Sequence, residues 1–166
     1  RSRMIRANPA VSGIFFGLSS GVITLLGLMT GLSASTHSST AVLGGIIVIA
    51  IADSMSDAFG MHISKESEHD SSEREVWVIT LATFSSKMLM TISFVVPHLL
   101  LPLQLAIYAS IGWGLLALTL LSLFIGRSQQ RHALPIIAEH VAMALLVVVL
   151  THAIGSLIGQ WFPGSL

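Results

Sequence analysis

The chain contains no cysteine. That excludes disulfides and thiolate metal sites, and it leaves the redox compartment open. Charge is scarce too: Asp, Glu, Lys and Arg make up 10% of the 166 residues, where a soluble domain carries about 25%. Neither sign dominates, because 8 basic residues balance 8 acidic ones. Without a basic field there is nothing to attract nucleic acid, and none is expected as a partner. A His-Glu-x-x-His motif is also missing, so the His and Asp residues do not assemble a recognisable metallohydrolase and no enzymatic activity is expected.

What is abundant is apolar. Hydrophobic residues reach 53% and the mean hydropathy is +0.84, which places the chain in the membrane class. A bilayer core of about 30 Å takes about 20 apolar helical residues to cross. Five stretches qualify, at about residues 10–32, 40–64, 76–96, 102–125 and 135–158. The first continues as a full-length span with no small-residue cleavage site, so it reads as a span and not a signal peptide. Pro97 is expected to end the third span, and Pro102 and Pro135 to open the fourth and fifth, where a missing N–H costs nothing. The expected fold is therefore all-α, a polytopic bundle of five transmembrane helices forming a single domain over residues 1–166.

Arg1, Arg3, Arg6, Lys65, Arg74, Arg127 and Arg131 all fall outside the spans, on one side of such a bundle. By the positive-inside rule the N-terminus is expected in the cytoplasm and the C-terminus outside. The plasma (inner) membrane of a prokaryote is the expected location, with membrane lipid as a partner.

Ionisable residues within the spans are costly and tend to face a partner or a water-filled path. Asp53 and Asp57 are four apart on the second span and share a face, which Gly60, Met61 and Ser64 continue. At 1.5 Å per residue from the basic end, Asp57 lies roughly 10 Å deep and Asp53 and Lys87 both roughly 16 Å deep. The matched depth predicts an Asp53–Lys87 ion pair, with Asp57 left to bind a cation or take up a proton. Thr80, Thr83, Lys87 and Thr91 form a polar stripe expected to face inward. Glu139 and His140 begin the fifth span at a depth near that of Asp57. Adjacent helical residues point about 100° apart, so they need not face one site. Structural readings stand beside each of these: an Asp–Lys pair can simply join two helices, Glu139 can sit favourably at a helix N-terminus, and His140 can be an ordinary hydrogen-bonded residue. The acidic connection from Lys65 to Glu75 is either a solvated loop or a weak cation-collecting mouth.

The first span repeats Gly13, Gly17 and Gly21 at four-residue intervals, a spacing that lets helix backbones approach closely. It also carries Ser20 and Thr24. The glycines serve either packing within one bundle or a dimer contact.

Two regions, Gly17-Leu-Ser-Ser-Gly21 through Gly31-Leu-Ser-Ala34 and Ser56-Asp-Ala-Phe-Gly60 through Ser64-Lys-Glu-Ser-Glu68, resemble the vacuolar iron transporter family. The resemblance implies a five-helix protomer, a homodimer joined through the first helix, and a cation path between the two first helices. It implies export of Fe2+ or Mn2+ from the cytoplasm against protons. The family's first-helix aspartate falls on Ser20, its second-helix glutamate on Ile49 and its second-helix methionine on Asp57. Only Lys65 to Glu75 stands where many members carry cytoplasmic metal-binding helices. A carboxylate in place of a thioether favours harder ions such as Mg2+ and Mn2+.

Residues and resemblance together give the expectation of a divalent-cation transporter of the iron/manganese type. Asp53, Asp57, Glu139 and His140 would serve as cation ligands, and Lys87, Ser20, Thr24 and Met61 would assist. Fe2+, Mn2+ or another divalent cation would be substrate, with no permanently bound cofactor. The alternative is a non-transporting membrane module whose buried charges specify helix pairing and the binding of a partner or lipid.

Overall fold

The computed structural model describes residues 8–162. Among them there is no strand, and five segments are long and apolar enough to cross a membrane. The helices are α1 (Pro9–Thr36), α2 (Ser39–Glu66), α3 (Glu73–Ser93), α4 (Val95–Leu100), α5 (Leu103–Ser128) and α6 (Ala133–Trp161). The segments match the expected spans, extending somewhat further at both ends except for the fourth, which starts one residue later at Leu103 and extends only at its C-terminal end. Arg1, Arg3 and Arg6, which contribute to the expected orientation, lie outside the described residues.

Local chemistry sets the ends. Asn8 accepts a hydrogen bond from the Ala10 N–H and Pro9 occupies the first helical position of α1, where its lack of an N–H is harmless. His37 then takes a left-handed conformation with φ 50°, and Ser38 caps α2 through the Ala41 N–H. The chain thus reverses in two residues. Ser72 and Glu75 form a reciprocal capping box at the start of α3, the strongest local start signal in the chain.

The third segment departs from expectation. Pro97 does not end it. The helix breaks at Phe94 and resumes as α4 through Pro97 to Leu100. Proline has no N–H to donate and its ring crowds the carbonyl four residues earlier, here that of Ser93. The disruption therefore lands upstream of the proline, and Phe94 fills it as a fully buried side chain.

α1 is the hub. Gly13 faces Ile79 and Thr83, Gly17 faces Thr83 and Ser86, and Gly21 faces Lys87 and Met90, so α1 and α3 run parallel. Gly31 and Gly155 bring α1 and α6 together in the same sense. α2 and α5 run antiparallel to α1, as shown by Ser20 against Asp57 and by Phe15 against Phe124. Lys65, Arg74, Arg127 and Arg131 consequently gather at the end where α1 begins. The apolar centre is Val22, Leu25, Leu26 and Met29 of α1 against Val42, Ile46, Phe94, Leu118 and Ala144. Large apolar side chains on the outside, such as Val48, Leu89 and Leu134, are consistent with an integral membrane protein.

The glycine face of α1 is thus filled by α3 of the same chain. A Cβ on Gly17 would lie 2.1 Å from Ser86 Oγ and 2.7 Å from the Thr83 carbonyl oxygen. Of the two uses open to Gly13, Gly17 and Gly21, the structure contains the intrachain one.

Candidate cation site

Lys87 of α3 is the largest fully buried side chain, with 1% exposure. Its ammonium has three N–H donors and meets three oxygens. It donates to Ser20 Oγ of α1 at 2.9 Å and to Asp57 Oδ2 of α2, and it contacts Asp53 Oδ2 at 2.5 Å. Ser20 Oγ donates in turn to Asp57 Oδ2 at 2.6 Å. Three helices are tied together at one point.

The two carboxylates are held differently. Asp57 receives aligned hydrogen bonds from both Lys87 and Ser20. Asp53 makes a close ionic contact with Lys87, but its Oδ2 has no aligned hydrogen-bond donor. Depth counting placed Asp53 opposite Lys87 and left Asp57 alone. The flexible lysine arm reaches both, and Asp57 is the better bonded. Two carboxylates face one ammonium, and both remain partly exposed, at 24% for Asp53 and 21% for Asp57.

The rest of the inward stripe holds. Thr83, Lys87 and Thr91 are buried, Thr80 is half-buried, and Thr91 Oγ1 donates to the Lys87 carbonyl at 2.7 Å. The buried hydroxyls of Ser54 and Thr83 have no hydrogen-bond partner. Thr24 and Met61 are half-buried, and neither makes a polar contact with the cluster.

Glu139 and His140 do not join Asp53 and Asp57. Helix α6 packs on α1 and α5, whereas α2 packs on α1 and α3. Glu139 is exposed beside a cavity of about 530 Å³ shared with Arg131, His132 and Pro135. The His140 ring pairs through Nδ1 with Ser122 Oγ of α5 at 2.7 Å. Among the described residues no group of three or more His, Asp or Glu side chains is positioned to hold a metal ion. The two carboxylates stand with a lysine and a serine in place of further ligands.

Sequence reading missed Ser122 as the partner of His140 and the Thr30–Thr151 hydroxyl pair at 2.7 Å between α1 and α6. Single hydroxyls on apolar helices give no signal of their own. His62 of α2 meets Thr80, Glu66 and Trp77.

No protein-family model matches this chain, and no curated protein or solved structure matches it.

Proposed function

We propose that the protein is a divalent-cation transporter of the iron/manganese type, coupled to protons and exporting from the cytoplasm. The observation that carries this reading is the convergence of two carboxylates, Asp53 and Asp57, on the single ammonium of Lys87 within the spans. Charge placed at that depth is expensive and marks ion or proton routes. Asp53 and Asp57 offer the arriving cation hard oxygen ligands. Lys87 is a tethered counter-charge, and an ion that binds both carboxylates competes with it for the same oxygens. The resemblance of the first two spans to vacuolar iron transporters supports the ion class, a homodimer and the orientation with the basic end in the cytoplasm. A prokaryotic plasma membrane is the proposed location. In a dimer the partly exposed carboxylates would be shielded from lipid.

The test is reconstitution into proteoliposomes with a pH-sensitive dye inside, challenged with Fe2+, Mn2+ or Mg2+. Ion flux with a counter-directed pH change is expected, and Asp57→Asn abolishes both. Absence of flux for every ion, or full flux in Asp57→Asn, rejects the reading.

A second reading is favoured by one specific observation, that the Lys87 ammonium already makes two hydrogen bonds, to Ser20 and Asp57, and a close ionic contact with Asp53. In that case the cluster only pairs helices in a non-transporting module. It predicts strong Asp–Lys coupling in stability with no effect of added metal.

A further inference from the structure

The groove between α2 and α3, at the end joined by residues 67–72, holds chemistry that the carboxylate cluster does not use. Two cavities adjoin there and share His62 and Trp77. One, of about 420 Å³, is almost wholly apolar, with Met55, Phe59, Leu81 and Phe84 in its walls. The other, of about 430 Å³, is polar and carries Glu66 and Glu73. Phe59 and Leu81 are 64% and 58% exposed, so the apolar half opens sideways, where a membrane-spanning chain meets lipid.

The hydrogen-bond inventory at the junction leaves a gap. Thr80 Oγ1 donates its proton to the Val76 carbonyl at 2.7 Å. It must therefore accept from His62, whose Nδ1 lies 3.0 Å away, because a hydroxyl has one proton to give. When the ring is neutral with its proton on Nδ1, its Nε2 lone pair faces Glu66 Oε2, 4.0 Å away. Trp77 meets the imidazole edge-on at a centroid distance of 5.0 Å and fixes its plane. In that state the two groups are both acceptors, and no hydrogen bond joins them. One ammonium nitrogen about 2.8 Å from each would bridge them. Lys65 is the cation next to Glu66 in sequence, but it is held by Glu68 at 2.5 Å. Glu73 adds a second carboxylate to the same cavity.

We infer that this groove binds a membrane phospholipid with a primary ammonium head, its acyl chain in the apolar cavity and its ammonium between His62 Nε2 and Glu66. The charge is complementary, and the shape is that of an amphiphile: an apolar slot continuous with an acidic rim. Recognition rests on N–H donation, so an ethanolamine head is held and a choline head, which has no N–H, is not. A glycerol head has no ammonium to offset the phosphate, so that lipid brings a net negative charge to two carboxylates and is rejected.

The full chain, purified in detergent, is titrated with phosphatidylethanolamine, phosphatidylcholine and phosphatidylglycerol of identical acyl chains, and bound lipid is read by native mass spectrometry. The ethanolamine lipid is expected to bind about tenfold more tightly than the choline lipid, the size of one charge-assisted hydrogen bond. Glu66 is an exposed side chain whose change to Gln leaves folding intact, and Glu66→Gln abolishes the preference. Phe84→Ala weakens all three lipids and keeps their order. Equal binding of the ethanolamine and choline lipids, a preference that survives Glu66→Gln, or displacement of the lipid by Mn2+ alone overturns the inference.

Discussion

Replacing Lys87 with Met removes the one cation that, among the described residues, pairs with Asp53 and Asp57, while keeping a long apolar stem in the buried slot. Lys87 is 1% exposed, hydrogen-bonds Ser20 and Asp57 and contacts Asp53, and the other member of the cluster, Ser20, carries no charge to replace it. Removing one member of a buried ion pair costs about 3–5 kcal/mol, because the remaining charge is left without compensation. At about 2–4 °C per kcal/mol for a chain of this size, the melting temperature of Lys87→Met should fall by about 6–20 °C. Neutralising the carboxylates in that background, as Asp53→Asn with Asp57→Asn, should recover most of the loss. The couplings should differ. Asp57 has aligned hydrogen bonds from Lys87 and Ser20, and Asp53 has none. The Lys87–Asp57 coupling should therefore exceed the Lys87–Asp53 coupling by about 1 kcal/mol, the net worth of one hydrogen bond. Thermal unfolding in lipid-containing micelles, followed by tryptophan fluorescence and combined as double-mutant cycles, measures each quantity. A Lys87→Met variant as stable as the parent would refute the reasoning, as would carboxylate neutralisation that restores nothing.

Gly17→Ala should destabilise by about 1–3 kcal/mol, since its Cβ meets the fixed Thr83 carbonyl at 2.7 Å and overpacking has that cost. Gly60→Ala has nothing within 4 Å of its Cβ and should be neutral or slightly stabilising, so equal melting temperatures for the two variants would contradict the packing assigned to α1. Ser86→Ala should relieve only part of the Gly17→Ala loss, because it removes the Oγ at 2.1 Å and leaves the Thr83 carbonyl oxygen at 2.7 Å. Ser122→Ala removes the His140 contact and should cost about 0.5–1.5 kcal/mol while leaving any ion flux intact; loss of flux would return His140 to the transport machinery.

Much of the fold is legible in the sequence because length and hydropathy are what a bilayer demands. The five spans are found to within a few residues, and Ser72 with Glu75 marks the start of α3 plainly. Which side of each helix faces inward is far less legible. Lipid and bundle core are both apolar, so an apolar residue says nothing about direction. Only polar residues report a face, and Thr83, Lys87 and Thr91 did so correctly. Glu139 did not, because at a helix end a carboxylate can point outward at little cost. The lysine misled for another reason: a side chain with four methylenes is not confined to the depth of its own Cα, so Asp57, a turn shallower than Asp53, still captured it. The break at Phe94 was hidden because proline acts on a carbonyl four residues upstream.

The two-residue link at His37 and Ser38 has a mechanical consequence. It ties α1 and α2 at one end, while the link at 67–72, at six residues, is the longer of the two covalent connections of α2. At 1.5 Å per residue, Asp57 stands about 28 Å from the short link. A tilt of about 10° there would part Ser20 from Asp57 by about 5 Å, by the same rise, and would hardly move the residues beside Ser38. Spin labels near the ends of both helices would read this as a distance spread that widens away from the link, and a uniform spread would mean that the pair moves as one body. The hydrogen bond from Ser20 to Asp57 thus acts as a latch on the long arm of a pair of tweezers, far from the hinge, where a single contact has the greatest leverage.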